Sequence, residues 1–298
     1  MNRNDAFSRC HPLVNFLYFA LVLLGAMLLQ HPVCQAISLI GAIACFCTLG
    51  GEKPGGFRLW YALALFAVTA AVNPAFSHEG RTILRYLPSG NPLTLESILY
   101  GIGAGLTLCT ALVWFSCYTR IMTSDKFVYL FGRIVPALSL VLSMTLRFVP
   151  RFSAQARRVS KAQAAVGNDM HTGSLLHRIK CALMVFSILV TWSLENAVDT
   201  ADSMRARGYG LPGRSAFSIF TLTKRDKRLL AALSLLGAIV AAGYAAGALS
   251  WRYYPSLKGS GFAPFSSLCY LGYLVLNLIP VILEQKEAAV CRRLQSQI

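Results

Sequence analysis

RFSAQARRVSKAQAAVGNDMHTGSLLHRIK, residues 151–180, decides how this chain is organised. It carries Arg151, Arg157, Arg158, Lys161, Arg178 and Lys180 against one acid, Asp169, and it lies between two apolar stretches, 127–149 and 181–194. If each stretch crossed a bilayer once, the basic segment would lie on the outer side, against the Lys and Arg excess of cytoplasmic segments. The second stretch, at 14 residues, is also short of the roughly 20 that a crossing needs. Both stretches therefore read as parts of long helices at or under the cytoplasmic face, packed on each other and on the membrane helices.

Outward from this segment the chain turns apolar. Six runs approach or exceed a crossing length: 13–29, 33–50, 57–76, 92–118, 229–250 and 262–283. Of the 298 residues 55% are hydrophobic and 13% charged, where a soluble domain carries about 25% charge. The formal charge of +16 comes from 28 basic and 12 acidic residues, and the basic ones punctuate apolar runs instead of covering a polar domain. That pattern excludes a DNA-binding domain, a disordered tail and a secreted disulfide scaffold. The first run follows Arg3 and Arg9 as a signal peptide would, but no small-residue cleavage site comes after it, so it reads as the first half of a helical hairpin.

Residues 120–228 hold 17 of the 28 basic residues with six acids, which places them inside. Both termini are then inside, with Arg292 and Arg293 near the end, as are Lys53 and Arg58; the turn at Gln30, the Gly80 loop and the 251–261 loop are outside. Only the Gly80 loop, with Arg81 and Arg85, opposes the rule. The expected fold is an all-α integral membrane protein of about six transmembrane helices with a cytoplasmic insertion of two long helices. Its divisions fall at 1–126, 127–228 and 229–298.

The first inserted helix is expected from Pro136, suited to a first turn, to a stop at Gly167, a length of about 45 Å, with a kink at Pro150. Phe152, Ala156, Val159 and Val166 recur along it at helical spacing. The second runs from Ser174 to Gly208; Glu195, Asp199 and Asp202 share one face and Ala197, Ala201 and Met204 another, with Asp202 and Arg205 spaced as an i,i+3 pair. Tyr209-Gly210-Leu211-Pro212-Gly213 cannot continue it. Two such helices, apolar first and polar at a glycine-stopped end, suit arms that reach from the membrane to a partner; an ordinary charged loop suits the same residues.

Nine scattered cysteines without a Cys-x-x-Cys read as small buried hydrophobes, and His171 with His177 on a polar stretch makes no metal site. Asn73, Glu96 and Ser77-His78-Glu79 lie near span ends and read as loop groups. No cofactor, metal or catalytic residue is expected, and no Gly-x-x-x-x-Gly-Lys-Ser/Thr phosphate loop is present.

Ala206-Arg207-Gly208, reached through Glu195-Asn196-Ala197 and Ala201-Asp202-Ser203-Met204, resembles the signature of energy-coupling factor (ECF) transporter transmembrane T components, the EcfT/CbiQ family. His11-Pro12, Asn73-Pro74-Ala75-Phe76 and Leu146-Arg147-Phe148-Val149-Pro150 are similar to further family segments, so the likeness spans nearly the whole chain. The resemblance implies a non-catalytic membrane subunit that joins a substrate-binding S component to two cytoplasmic ABC-type ATPases, in the bilayer of a prokaryotic plasma membrane. It implies coupling helices that cross and seat their Ala-Arg-Gly ends in the ATPases, for uptake of a vitamin or metal ion. Ala206, Arg207 and Gly208 fit that role; at the first arm Ala165-Val166-Gly167 lacks the arginine, and Arg157, Arg158, Lys161 or an apolar contact through Val166 takes its place. Glu195, Asp202 and Arg205 support the second end. The competing reading is a self-contained secondary transporter or channel, for which six runs without obvious repeats or mid-span Asp, Lys or Arg give little ground. No nucleic-acid partner is expected.

Overall fold

The computed structural model describes residues 7–49, 56–77, 80–86, 92–132, 135–169, 172–209, 211, 220–259, 261 and 263–295. Lys53, His78, Glu79, His171, Gly210 and the 212–213 turn lie outside the described residues. The chain forms α1 (Pro12–Leu28), α2 (Pro32–Thr48), α3 (Gly56–Phe76), α4 (Leu95–Ile121), α5 (Ser124–Gly132), α6 (Pro136–Ala165), α7 (Leu175–Ala206), α8 (Lys224–Ala245) and α9 (Pro264–Gln295). Two small antiparallel hairpins interrupt the helices: β1 (Ile83–Tyr86) with β2 (Pro92–Thr94), and β3 (Trp251–Arg252) with β4 (Lys258–Gly259). The run read as 92–118 thus opens on a strand, and Thr94 then caps α4 by accepting from the Ser97 amide at 3.3 Å.

Contacts divide the chain into two units, 1–123 with 220–298, and 124–219. The first and last sequence divisions are one compact unit, and the boundary read at 228 lies inside α8. The first unit gathers α1 to α4, α8 and α9, which are the six expected runs, around Val14, Tyr18, Phe19, Trp114, Cys117 and Tyr273. The protein is an all-α integral membrane protein. By length and composition α4, α7, α8 and α9 are each able to cross a membrane; α1, α2 and the 62–76 part of α3 are shorter apolar helices. For α7 this extends the 14-residue stretch read from sequence, because an 18-residue window of mean hydropathy 1.6 tolerates its flanking polar residues.

Two His-Pro pairs start the first hairpin. His11 Nδ1 accepts from the Leu13 amide at 3.2 Å and His31 Nδ1 from the Val33 amide at 3.3 Å, while Pro12 and Pro32 take the first helical position, where no amide donor is needed. His31 is buried against the Trp251 and Tyr270 rings at 5.1 and 5.3 Å, and burial pushes its pKa down. Only the neutral imidazole can accept at Nδ1. The cap's stabilisation is therefore present above the unfolded pKa of about 6.5 and is lost as pH falls through the lower folded value. We expect the thermal midpoint in detergent to fall between pH 7.5 and 5, and His31→Asn, which caps without titrating, to flatten that dependence; an equal slope in both proteins would refute the assignment.

The ends of the bundle are fixed by polar contacts. At one end Asp226 accepts from the amides of His11 at 3.3 Å and Thr223 at 3.1 Å and from Thr223 Oγ1 at 2.7 Å, completing a capping box on α8. There too Arg225 pairs with Glu287 of α9 at 2.7 Å, the one salt bridge among the described residues, and Arg120 lies over the Phe46 ring near the end of α2. At the other end Tyr253 OH donates to Gln30 O at 3.3 Å, and Glu96 accepts from Thr82 Oγ1 at 2.9 Å as a clasp on the first hairpin. Chain therefore leaves this unit after Ile121 and returns at Lys224 at the same end. Asp226→Ala should cost about 2–3 kcal/mol, read as a lower unfolding midpoint in detergent, because it removes the acceptor of the buried His11 amide as well as the cap.

The nine cysteines are all free; six are buried, while Cys47 and Cys291 are exposed and depart from the buried reading because they sit on outward faces late in α2 and α9.

Candidate functional site

In the second unit the apolar stretch read as 127–149 splits. α5 ends at Gly132 and α6 begins afresh at Pro136, running unbroken to Ala165 with Pro150 inside it. α7 starts on Ser174, whose side chain accepts from the His177 amide at 3.4 Å, and ends at Ala206. The two arms pack where Phe152 meets Trp192 edge-on, ring centroids 5.6 Å apart, and where Asn168 Nδ2 reaches Met184 Sδ at 3.7 Å. Past Trp192, α7 continues for about 21 Å to its end at Ala206.

Both arms stop in the same way. At the end of α6 the Gly167 amide donates to Ala164 O at 3.0 Å and the Asn168 amide to Gln163 O at 2.9 Å; at the end of α7 the Gly208 amide donates to Arg205 O at 3.0 Å and the Tyr209 amide to Met204 O at 3.0 Å. Gly167 and Gly208 take φ of 92° and 75°, left-handed values that suit glycine. This is the Schellman ending, and it makes Val166 and Arg207 equivalent: each is the C-cap residue of its arm. The ending is also used by α8 at Gly247, so the backbone turn by itself is a general helix stop.

What distinguishes the two arm ends is what they present. Val166 is 78% exposed; the stripe read from Phe152, Ala156 and Val159 does not include it, because the helix ends one residue earlier. Arg207 is exposed, and no described residue pairs with it. Ala165, Ala206, Arg157, Arg158, Lys161, Glu195, Asp202 and Arg205 are exposed as well. Asp202 and Arg205 do not form the i,i+3 ion pair read from sequence: both are exposed, where water competes for the charges. No group of His, Cys, Asp and Glu able to hold a metal occurs among the described residues.

The sequence reading has the apolar stretch 181–194 packed, whereas much of the apolar surface of α7 is exposed. Only Cys181, Val185 and Leu189 are buried on it, a single i, i+4, i+8 row, while Leu175, Leu176, Leu183, Phe186 and Leu194 are each more than 60% exposed. The signal was present in apolar residues that recur on more than one face of the helix, a pattern that calls for more than one covering surface.

The CbiQ family of cobalt transport proteins matches residues 7–219, from just before α1 to beyond the end of α7. The chain belongs to the CbiQ family. Similar curated proteins carry the name energy-coupling factor transporter transmembrane protein EcfT. That of Lactobacillus helveticus (strain DPC 4571) is 35% identical over 103 residues, 34% of this chain and 37% of the relative. That of Bacillus subtilis (strain 168) is 31% identical over 107 residues, 36% of this chain and 40% of the relative. EcfT 1 of Listeria monocytogenes serotype 1/2a (strain 08-5578) is 37% identical over 83 residues, 28% and 31% of the two chains. The chain thus spans about two fifths or less of the length of these relatives. Membership of the CbiQ family fits a multi-pass membrane protein that contributes to transport.

Proposed function

We propose that this chain is the transmembrane T component of an ECF transporter, coupling ATP hydrolysis by two cytoplasmic ATPase subunits to uptake of a micronutrient bound by a separate S component. The observation that carries the reading is the pair of like arm ends with their C-cap side chains, Arg207 and Val166, presented outward and unused by the described residues. A guanidinium there offers a planar fork for a carboxylate in a partner groove, and the helix C-terminus favours a cation. Gly208 lets the backbone turn and the partner approach closely. Val166 gives the first arm an apolar contact, with Arg157, Arg158 and Lys161 available for charge; Glu195, Asp202 and Arg205 flank the second end.

Parity and the basic excess together support a cytoplasmic side for the arms. Residues 122–223 leave and rejoin the six-helix unit at one end, so they cross the bilayer an even number of times. Among the described residues α7 has a span-length apolar window and α6, with Arg147, Arg151, Arg157, Arg158 and Lys161, has none. Zero crossings agrees with the basic excess, and both termini then lie inside at a prokaryotic plasma membrane. ATP binding would close the ATPase pair and move the arm ends, shifting the apolar surface of α7 against the S component; hydrolysis would reset it. The chain is then a non-catalytic subunit, with the vitamin or metal ion as cargo.

The test is affinity purification from native membranes in mild detergent, with mass spectrometry of what accompanies the chain. Two ATPase chains, or two copies of one, and a small membrane protein are the expected recovery. Recovery of the chain alone, under conditions that preserve known membrane complexes, would favour a self-contained transporter. A cysteine-accessibility map at Ser160 and Ser203 should label both from the inside only; labelling from outside would overturn the assignment of the arms.

A further inference from the structure

The six-helix unit has a cavity of about 220 Å³ at the end where the β3–β4 hairpin sits. Its lining is graded. Gln30, Gln35, Tyr100 and Tyr253 surround one part, while Ala104, Leu108 and Ala111 continue along α4 toward the middle of the bundle, with Met27 of α1 opposite. Tyr100, Ala104, Leu108 and Ala111 recur every three or four residues, so they form one face of α4 about 16 Å long. The space is smaller than the roughly 300–1,000 Å³ of pockets that enclose a whole drug-sized ligand, so it suits one end of a longer molecule.

The polar part is a built site with unused capacity. Gln35 is 6% exposed; its Nε2 donates to Gly103 O at 3.3 Å and Thr107 Oγ1 at 2.9 Å, and no described residue donates to its Oε1. Gln35 lines the cavity, and an amide oxygen there with no donor among the described residues can accept one from an occupant. Tyr100 packs its ring on Tyr253 and Tyr254, each at 5.4 Å, and its hydroxyl has no hydrogen bond among the described residues. Tyr253 OH, already donating to Gln30 O, retains acceptor capacity. No Asp, Glu, Lys or Arg lines the cavity, so nothing there neutralises a charged group.

We propose that this groove binds a fatty-acid glycerol ester, its acyl chain along Ala104, Leu108 and Ala111 and its uncharged glycerol-ester end between Gln35 and Tyr100. A glycerol hydroxyl donates to Gln35 Oε1 and the ester carbonyl accepts from Tyr100 OH. The proposal is independent of the coupling role of the arms.

The experiment is equilibrium binding of tritiated 1-oleoylglycerol to the full chain in maltoside micelles. Saturable binding near one molecule per chain is expected. Ala104→Phe and Ala111→Phe should each weaken it at least tenfold, and Leu112→Phe, on a residue outside the cavity lining, should leave it unchanged. If one filling variant fails to fold, the other carries the comparison. Failure of dioleoyl phosphatidylglycerol, whose headgroup is charged, to compete supports the uncharged assignment, and equal competition by it would overturn that assignment. Non-saturable binding, equal affinity in wild type and both filling variants, or equal competition by oleic acid would overturn it. So would absent binding together with loss of a membrane partner from Ala104→Phe, which would assign the groove to a protein helix.

Discussion

Arg207→Glu abolishes recovery of the ATPase subunits with this chain and abolishes uptake, if the arm ends seat as proposed. Reversing a charge that meets a carboxylate in a buried contact costs about 2–5 kcal/mol, roughly 30-fold to several-thousandfold in affinity. The effect belongs to the interface and not to the fold: Arg207 is exposed and no described residue pairs with it, so the unfolding midpoint of the isolated chain should hardly move. Arg207→Lys separates charge from geometry, because lysine keeps the cation and loses the two-pronged fork; partial recovery is expected. Val166→Asp should weaken recovery less, by about 1–2 kcal/mol, as expected for loss of an apolar contact. Copurification and uptake at wild-type levels in Arg207→Glu would remove Arg207 from the mechanism.

Gly101→Val has the largest expected effect on folding. A Cβ at Gly101 would lie 2.7 Å from the backbone oxygen of Ala70 in α3, and a carbonyl in a helix cannot swing aside as a side chain can. Pro74 and Asn73 close the same site at 3.3 and 3.2 Å, so α3 and α4 must separate. Overpacking of this kind costs about 1–3 kcal/mol per site, and the larger valine side chain belongs at the upper end. The folded yield in detergent and the unfolding midpoint should both drop. Gly272→Ala is the control, since its nearest neighbour would be Ile239 at 3.6 Å, an ordinary contact. Equal midpoints for the Gly101 and Gly272 variants would show that the α3–α4 approach is looser than described.

Much of the arm geometry was legible because it is written locally. Pro136, Ser174, Gly167 and Gly208 mark helix starts and stops through φ restriction, a capping hydroxyl and access to positive φ, properties that a residue carries with it. The start of α6 at Pro136 was legible, but α5 was not: nothing read in the 127–149 stretch marks its first residues as a short helix of their own. The Asp202–Arg205 pair was misread for the opposite reason: spacing permits a contact, but solvent decides whether an exposed pair forms. Asp226 had a signal in the sequence, Thr223 three residues before it, yet its bond to the His11 amide joins positions 215 apart, a distance no local pattern encodes.

The sequence by itself determined the membrane class, the six apolar runs, the basic inserted segment and the glycine-stopped ends of its two helices, because hydropathy and backbone preference act residue by residue. Tertiary structure alone decided that residues far apart in the chain close one six-helix unit, that its ends are held by Asp226 with His11 and by Tyr253 with Gln30, and that Gln35 is buried with its amide nitrogen bonded to Gly103 and Thr107 of α4. Those outcomes depend on which surfaces meet when helices pack, and packing is a property of pairs of segments that neither segment specifies alone.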